Sequence, residues 1–232
     1  MKRVLIKLSG EALAGGNGKG YNDNAIEEVG KQIRTLVDEG CDVAVVIGGG
    51  NYWRGRSSKN IDRTKADQIG MLATVMNCIY VSEIFRLLGL KTAIMTPFKV
   101  GEFTKGFSKD EANRYFKEKT VLFFAGGTGH PYFSTDTATV LRAIEIEADM
   151  ILLAKSVDGV YDADPEVVAD AKKFDTISLS ELVDRKLMVI DLAASVLAME
   201  NKMPMVVFGL NEENGIINAG RGCTTGTTVT VD

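Results

Sequence analysis

The sequence predicts an α/β fold, a three-layer sandwich in which a mostly parallel central sheet is covered by helices on both faces. Three observations carry that expectation. Short uninterrupted apolar runs, Val43 to Ile47, Val121 to Phe124 and Met150 to Ala154, have the character of strands buried on both faces. Between such runs lie longer stretches with apolar residues three and four apart, the period of an amphipathic helix. Glycines gather where runs end, at Gly48 to Gly50 and at Gly126, Gly127 and Gly129. Strand and helix alternating in this way give a sheet wound by crossover connections.

Val4 to Leu8 forms the first strand, and a Gly-rich loop, Gly15 to Gly20, leads to a capping Asn22 or Asp23. The helix that follows runs to about Glu39 on Ile26, Val29, Ile33, Leu36 and Val37, with Gly40 where a left-handed C-terminal cap belongs. Val43 to Ile47 opens onto three glycines and a loop, Asn51 to Asn60, that carries Arg54 and Arg56. A long helical pattern then extends from about Asp62 to Leu88 and closes at Gly89. Its length predicts a break or a contact with another copy.

Lys91 to Met95 is the next strand, Pro97 to Phe107 is irregular, and Ser108 with Glu111 forms the capping box of a short helix to Lys119. After the strand Val121 to Phe124, a helix spans Thr135 to Ala148, and the strand Met150 to Ala154 leads into turns from Ser156 to Pro165. Ser178 with Glu181 is a second capping box, and a helical region covers Asp191 to Asn201. The strand Met205 to Phe208, a Gly-rich tail from Asn211 to Thr225 and an edge strand, Thr227 to Val231, complete the chain. No linker or repeat interrupts it, so residues 1–232 are expected to form one domain.

With 45% hydrophobic and 25% charged residues the composition is that of a soluble globular protein. A net charge of −4, without any long Lys/Arg run, argues against a nucleic-acid partner. Cys41, Cys78 and Cys223 have neither zinc-ligand spacing nor an even count for a disulfide framework, which fits reduced thiols in a cytoplasmic protein. The apolar runs are too short to cross a bilayer, and Lys7 breaks the first one after three residues, against a signal peptide and a membrane partner.

In an open α/β sheet, ligands sit at the carboxyl ends of the strands. Four loops qualify there: Lys7 to Gly10, Gly48 to Arg56, Gly126 to Asp136 and Lys155 to Asp164. Neither G-x-x-x-x-G-K-[ST] nor G-x-G-x-x-G occurs, which removes the P-loop and simple dinucleotide readings. Lys7 is a cation inside an apolar strand, costly unless an anion meets it or the side chain reaches water. Arg54 has the donor fork for a phosphate, or is a solvated loop arginine. Asp67 lies four residues after Arg63, a spacing that also suits a surface ion pair. Asp158, Asp162 and Asp164 crowd one turn, as a metal site or as ordinary turn chemistry. His130 is the sole histidine and lacks triad partners, so it is expected to shape a pocket. A strand-end lysine, an arginine, helix-start amides and scattered aspartates together suit phosphoryl transfer, where positioning and charge neutralisation dominate.

KLSGEAL at Lys7 to Leu13, VVIGGGNYWRG at Val45 to Gly55, AGGTGHPYFSTDTA at Ala125 to Ala138, VDGVYDADP at Val157 to Pro165 and MVIDLAA at Met188 to Ala194 resemble the amino acid kinase family, and within it the bacterial UMP kinases. The resemblance implies a cytoplasmic homohexamer that moves the γ-phosphate of ATP to UMP with Mg²⁺, giving UDP for pyrimidine nucleotide synthesis. It places ATP on Lys7, Leu8, Ser9, Gly10, Gly50, Arg54, Tyr161 and Asp164, with a further contact from either Lys155 or Ser156. It places UMP on Gly49, Asp67, Thr128, Gly129, His130, Pro131, Tyr132, Phe133, Ser134 and Thr135. Lys7 and Arg54 would be catalytic, Asp191 would orient Lys7, and no residue is assigned as a metal ligand. Activation by GTP, tied to the loop Gly15 to Gly20, and inhibition by UTP are further implications. Two rivals remain: a kinase of the same fold that phosphorylates carbamate, glutamate or aspartate, and a nucleotide-binding protein without turnover.

Overall fold

Alternate side chains of the central strands point to opposite faces, and both faces are apolar, so helices must cover the sheet on each side. The computed structural model describes residues 2–14, 18–53, 60–165, 167–187 and 189–231. Its sheet contains β1 (Arg3–Leu8), β2 (Asp42–Ile47), β3 (Lys91–Thr96), β4 (Lys105–Gly106), β5 (Thr120–Phe124) and β6 (Met150–Lys155). A separate two-stranded ribbon pairs β7 (Val160–Tyr161) with β8 (Lys173–Phe174), and β9 (Thr176–Ser178), β10 (Met205–Gly209) and β11 (Thr227–Thr230) complete the main sheet. The main sheet has the order β4-β3-β5-β2-β1-β6-β10-β11-β9. Every neighbouring pair is parallel except β10 and β11.

The helices are α1 (Asp23–Asp38), α2 (Arg63–Leu87), α3 (Lys109–Lys117), α4 (Thr135–Glu145), α5 (Leu179–Asp184), α6 (Leu192–Glu200) and α7 (Gly215–Arg221). On one face Val4, Ile6, Val45 and Phe123 join Ile33, Val81, Phe85 and Ile216 in a core under α1, α2 and α7. On the other, Leu5, Val46 and Leu122 join Phe116, Val140, Leu182 and Ala198 under α3, α4, α5 and α6. Strand periodicity puts Lys7 on the same face as Leu5, toward α4.

The expected boundaries hold closely where a capping residue sets them. Asn22 accepts from the Ala25 N–H, Ser108 from Glu111 and Ser178 from Glu181, while Gly40 and Gly89 take φ of 91° and 86°. α4 stops at Glu145, short of Ala148, because Glu147 turns left-handed at φ 55° to enter β6. Thr227 to Val231 is not an edge strand: β11 runs antiparallel to β10 and β9 takes the edge. Inside the Gly-rich tail lies α7, too short to show a period, entered through a left-handed Asn214.

α2 is continuous over 25 residues and is long and apolar enough, by length and composition, to cross a membrane. One side, with Val75, Cys78, Val81 and Phe85, is buried in the core; the other presents Ile69, Leu72, Met76 and Ile79 to solvent.

Candidate active site

A cleft of about 270 Å³ opens at the carboxyl ends of β1 and β2, where Lys7, Ser9, Gly10 and Gly48 to Gly50 form one wall. Asp67 and Thr74 of α2 and the loop after β5, through Gly127, Thr128, His130, Phe133, Ser134 and Thr135, form the other. That loop is fixed from α2. The Gly126 N–H donates to buried Thr74 Oγ1 at 2.8 Å, and the Tyr132 N–H donates to Asp67 Oδ2 at 2.8 Å. Gly126 needs its glycine: φ is +80°, and a Cβ would stand 2.9 Å from the Phe98 ring. Tyr132, also left-handed at φ 71°, swings its ring outward over Arg63, whose guanidinium bridges Asp67 at 2.9 Å.

Lys7, only 9% exposed, brings its ammonium into this cleft from the middle of the sheet. Asp136, in the first turn of α4, meets it at 3.0 Å through Oδ1, a buried oxygen with no hydrogen-bond partner, so the contact is one of charge. Lys155, at the end of the adjoining strand β6, lies within electrostatic range of Lys7, Asp136 and Asp191. Burial holds its ammonium below the ordinary lysine value; Lys7 deepens that depression, and Asp136 and Asp191 oppose it. Two cations and two carboxylates therefore converge at the carboxyl ends of β1 and β6. The excess that an isolated lysine pair would carry is balanced, and an incoming polyanion can take over either partner.

Asp191 sits one step removed. It caps α6 through the Ala194 N–H at 3.0 Å and accepts from the hydroxyls of Ser134 and Thr137. Ser134 in turn caps α4, accepting from the N–H groups of Asp136 and Thr137. Asp191 thus locks the N-termini of α4 and α6 together, and α4 delivers Asp136.

A second cavity of about 440 Å³ begins at Lys155 and runs between the β7 turn and the segment before α6. Val157, Val160, Leu187, Val189 and Val207 make it largely apolar, with Tyr161, Asp164 and Lys186 as polar contributors. One buried hydroxyl secures its roof: Thr227 Oγ1 accepts from the Val160 N–H at 2.8 Å and donates to the Phe174 carbonyl. Lys173 Nζ donates to Asp158 Oδ2 at 2.9 Å, and Tyr161 donates to Asp158 Oδ1 at 2.7 Å. The Lys173 ammonium, with help from the Tyr161 hydroxyl, holds the Asp158 carboxyl below the ordinary range. Asp162 accepts from the Lys172 N–H at 2.7 Å. Two of the three crowded aspartates therefore organise the ribbon. Among the described residues no group of three or more His, Cys, Asp or Glu side chains could hold a metal ion.

A sequence profile of the amino acid kinase family matches residues 2–209. The chain belongs to the amino acid kinase family. Along its whole length it is 43% identical to a uridylate kinase of Limosilactobacillus reuteri, covering 98% of that protein. It is 45% identical to a uridylate kinase of Pediococcus pentosaceus, over 98% of this chain and 96% of that protein. Among solved structures, a UMP kinase from Bacillus anthracis superposes with a TM-score of 0.95 at 34% identity, covering 100% of this chain and 96% of that one. One from Ureaplasma parvum gives 0.93 at 31% identity over 99% and 98%.

For this member of the amino acid kinase family, Lys7, Ser9, Gly10, Gly49, Gly50, Asp67, Thr128, His130, Phe133, Ser134 and Thr135 line one cleft. Tyr161 and Asp164 line the second cavity. The structure refines three expectations. Leu8 turns its side chain into the core, so only its backbone is available to a ligand. Lys7 pairs with Asp136 rather than Asp191, because α4 brings its first turn over the end of β1. Of the two alternatives at the end of β6, Lys155 lines the second cavity, whereas Ser156 is exposed and does not. Gly129, Pro131 and Tyr132 shape the loop without lining the cleft. Arg54 lies outside the described residues.

Sequence reasoning missed Asp136 and Lys155 as members of the charge cluster. Both had a signal, since Asp136 falls in the first turn of the helix expected from Thr135 and Lys155 directly follows the expected buried strand Met150 to Ala154.

Proposed function

We propose that this chain is a uridylate kinase, transferring the γ-phosphate of ATP to UMP to give ADP and UDP. The observation that carries the reading is that a chain end-to-end similar to two uridylate kinases keeps Lys7, Gly48 to Gly50, Asp67 and the Gly127 to Thr135 loop in one cleft. In this reading UMP occupies the cleft, with its ribose on Asp67 and its phosphate toward Lys7. ATP takes the second cavity, with its adenosine among Val160, Tyr161, Asp164 and Val189 and its phosphates crossing Lys155 toward Lys7 and Gly10. One sheet floors both cavities, which supports treating the chain as a single domain.

The chemistry needs no strong general base. A UMP phosphate oxygen is already anionic at neutral pH and attacks the γ-phosphorus in line, while the bond from that phosphorus to the oxygen bridging to ADP breaks. Lys7 and Lys155 offset the charge of the transferred group, and Asp136 holds Lys7 in place until phosphate arrives. Arg54 is proposed to join them from its loop. Mg²⁺ suits this site as an ion carried on phosphate oxygens, which asks few protein ligands, and Asp136 Oδ1 is the buried, hydrogen-bond-free oxygen suited to face it or its water. When bound, the ion would neutralise charge on the β- and γ-phosphates.

The exposed apolar stripe Ile69, Leu72, Met76 and Ile79 supports assembly with further copies of the chain, in line with the expected homohexamer. GTP activation, UTP inhibition, a cytoplasmic location and a role in pyrimidine nucleotide synthesis are proposed on the same family grounds. The test is ADP formation from ATP and Mg²⁺ against UMP, CMP, dUMP, carbamate, glutamate and aspartate, with and without GTP or UTP. Turnover confined to UMP and closely related nucleoside monophosphates supports the assignment. Turnover with carbamate or an amino acid overturns it.

A further inference from the structure

Behind the cleft, on the α2 side of the sheet, lies a polar cluster that the proposed chemistry does not use. Asn77 of α2 and Asn51, in the turn after β2, are each 1% exposed. Amides so deeply buried are tolerated only when their polar atoms are matched, and here each is. Asn77 Nδ2 donates to the Gly48 carbonyl at 2.7 Å and to Asn51 Oδ1 at 2.8 Å. Asn51 Nδ2 donates to Asn77 Oδ1 at 3.2 Å and to the Gly20 carbonyl at 3.0 Å. The Tyr21 hydroxyl completes the set by donating to Asn77 Oδ1 at 3.1 Å.

Of these partners Gly48 lies in the cleft wall, and Gly20 and Tyr21 close the loop that leaves it after Gly10. Gly48 directly follows β2, and Gly20 and Tyr21 lead into α1. Gly10, just beyond β1, approaches so closely that a Cβ there would stand 2.3 Å from the Gly48 carbonyl oxygen and 2.7 Å from Asn51 Oδ1. Tyr21 is itself held, stacked on Tyr80 at 3.8 Å between centroids with 2° between planes, and Tyr80 donates to Asp23. The pair therefore ties α2 by hydrogen bonds to the residue after β2 and to the far end of the loop after β1, while Gly10 packs closely against Gly48 and Asn51.

We propose that Asn77, acting through its reciprocal amide pair with Asn51, is a positioning residue for phosphoryl transfer, fixing the spacing between the loops after β1 and β2. The inference rests on the phosphotransferase reading of the cleft. Phosphoryl transfer gains most of its rate from alignment, so a displacement of about 1 Å at these loops is worth roughly 10²-fold in rate even when nucleotides still bind.

The test combines kinetics with hydrogen exchange. In Asn77→Leu, which keeps the shape and removes the polar atoms, kcat for UMP falls about 10²-fold while KM for each nucleotide stays within about threefold. Amides of residues 9–13 and 48–53 exchange about tenfold faster, and those at the centres of β1 and β2 do not. In Asn77→Asp, kcat relative to the parent rises as pH is lowered from 8 to 6, because burial raises the carboxyl pKa and protonation restores one donor. A parent-like kcat in Asn77→Leu, or faster exchange spread evenly over the sheet, overturns the proposal. If the leucine variant does not fold, Tyr21→Phe removes a single hydroxyl and must show the same local exchange with a loss of about threefold in kcat; unchanged exchange there is equally fatal. Exchange is measured without nucleotide, so a parent protein inactive toward UMP would sink the kinase reading and still leave the amide pair tested.

Discussion

The two cavities are built on opposite plans. The cleft at β1 and β2 is walled by glycines, backbone and charge, and its loops are pinned by hydrogen bonds to α2 side chains. The cavity beyond Lys155 is walled by aliphatic side chains and roofed by a two-residue ribbon that depends on Thr227 and the Lys173–Asp158 pair. Phosphate chemistry demands donors and cations at fixed positions, whereas a flat base needs an apolar slot that closes over it. Damage to the phosphate-facing loops of the first should therefore appear in kcat, and damage to the second in the KM for ATP.

Lys7→Ala is the severest break in that contrast. Turnover should fall by about 10³-fold or more with the fold intact, since a cation aimed at the developing charge is removed. Steady-state kinetics with a circular-dichroism control measures it, and parent-like turnover would take Lys7 out of the mechanism. Gly10→Ala comes next, because its Cβ would overlap the Gly48 carbonyl oxygen at 2.3 Å. About 10²-fold in kcat should be lost, with a lowered melting temperature.

Thr227→Val acts on the other side. It leaves the buried Val160 N–H without its partner, at about 1–3 kcal/mol of stability, and should raise KM for ATP about tenfold while sparing KM for UMP. Chemical denaturation and substrate titrations separate the two effects.

The smallest effect concerns pH. Lys155 has a depressed pKa, so it loses its proton below the ordinary 10.5 as pH rises, and kcat/KM for ATP should decline on that alkaline side. Lys155→Arg, which stays charged, should move the decline upward by comparison of pH–rate profiles. Stability runs in the opposite sense: the unfolded chain binds this proton more strongly, so the lysine's contribution rises with pH between its folded pKa and 10.5.

What the sequence disclosed follows the same divide. Buried strands, caps at Asn22, Ser108 and Ser178, and the glycine loops are local signals, and the structure keeps them within a few residues. Lys7 stood out because a charge in an apolar run has few explanations. Its partner did not, since Asp191 and Asp136 are equally polar in one dimension and only the docking of α4 against α6 decides which reaches the lysine. The sheet edge escaped as well, because β9 is three residues long and its pairing with β11 spans some fifty positions of sequence. Asn51 and Asn77 carry no local mark of burial, and their pairing exists only after α2 has packed.

The most direct measurement is equilibrium binding of UMP and of a non-hydrolysable ATP analogue with Mg²⁺, by calorimetry, to the parent protein, Asp67→Asn and Thr227→Val. Two separate nucleotide sites predict that Asp67→Asn weakens UMP about tenfold and leaves the analogue nearly unchanged, with the reverse for Thr227→Val. Equal weakening of both ligands in either variant, or competition between them in the parent, would contradict the division of the molecule into an acceptor cleft and a donor cavity.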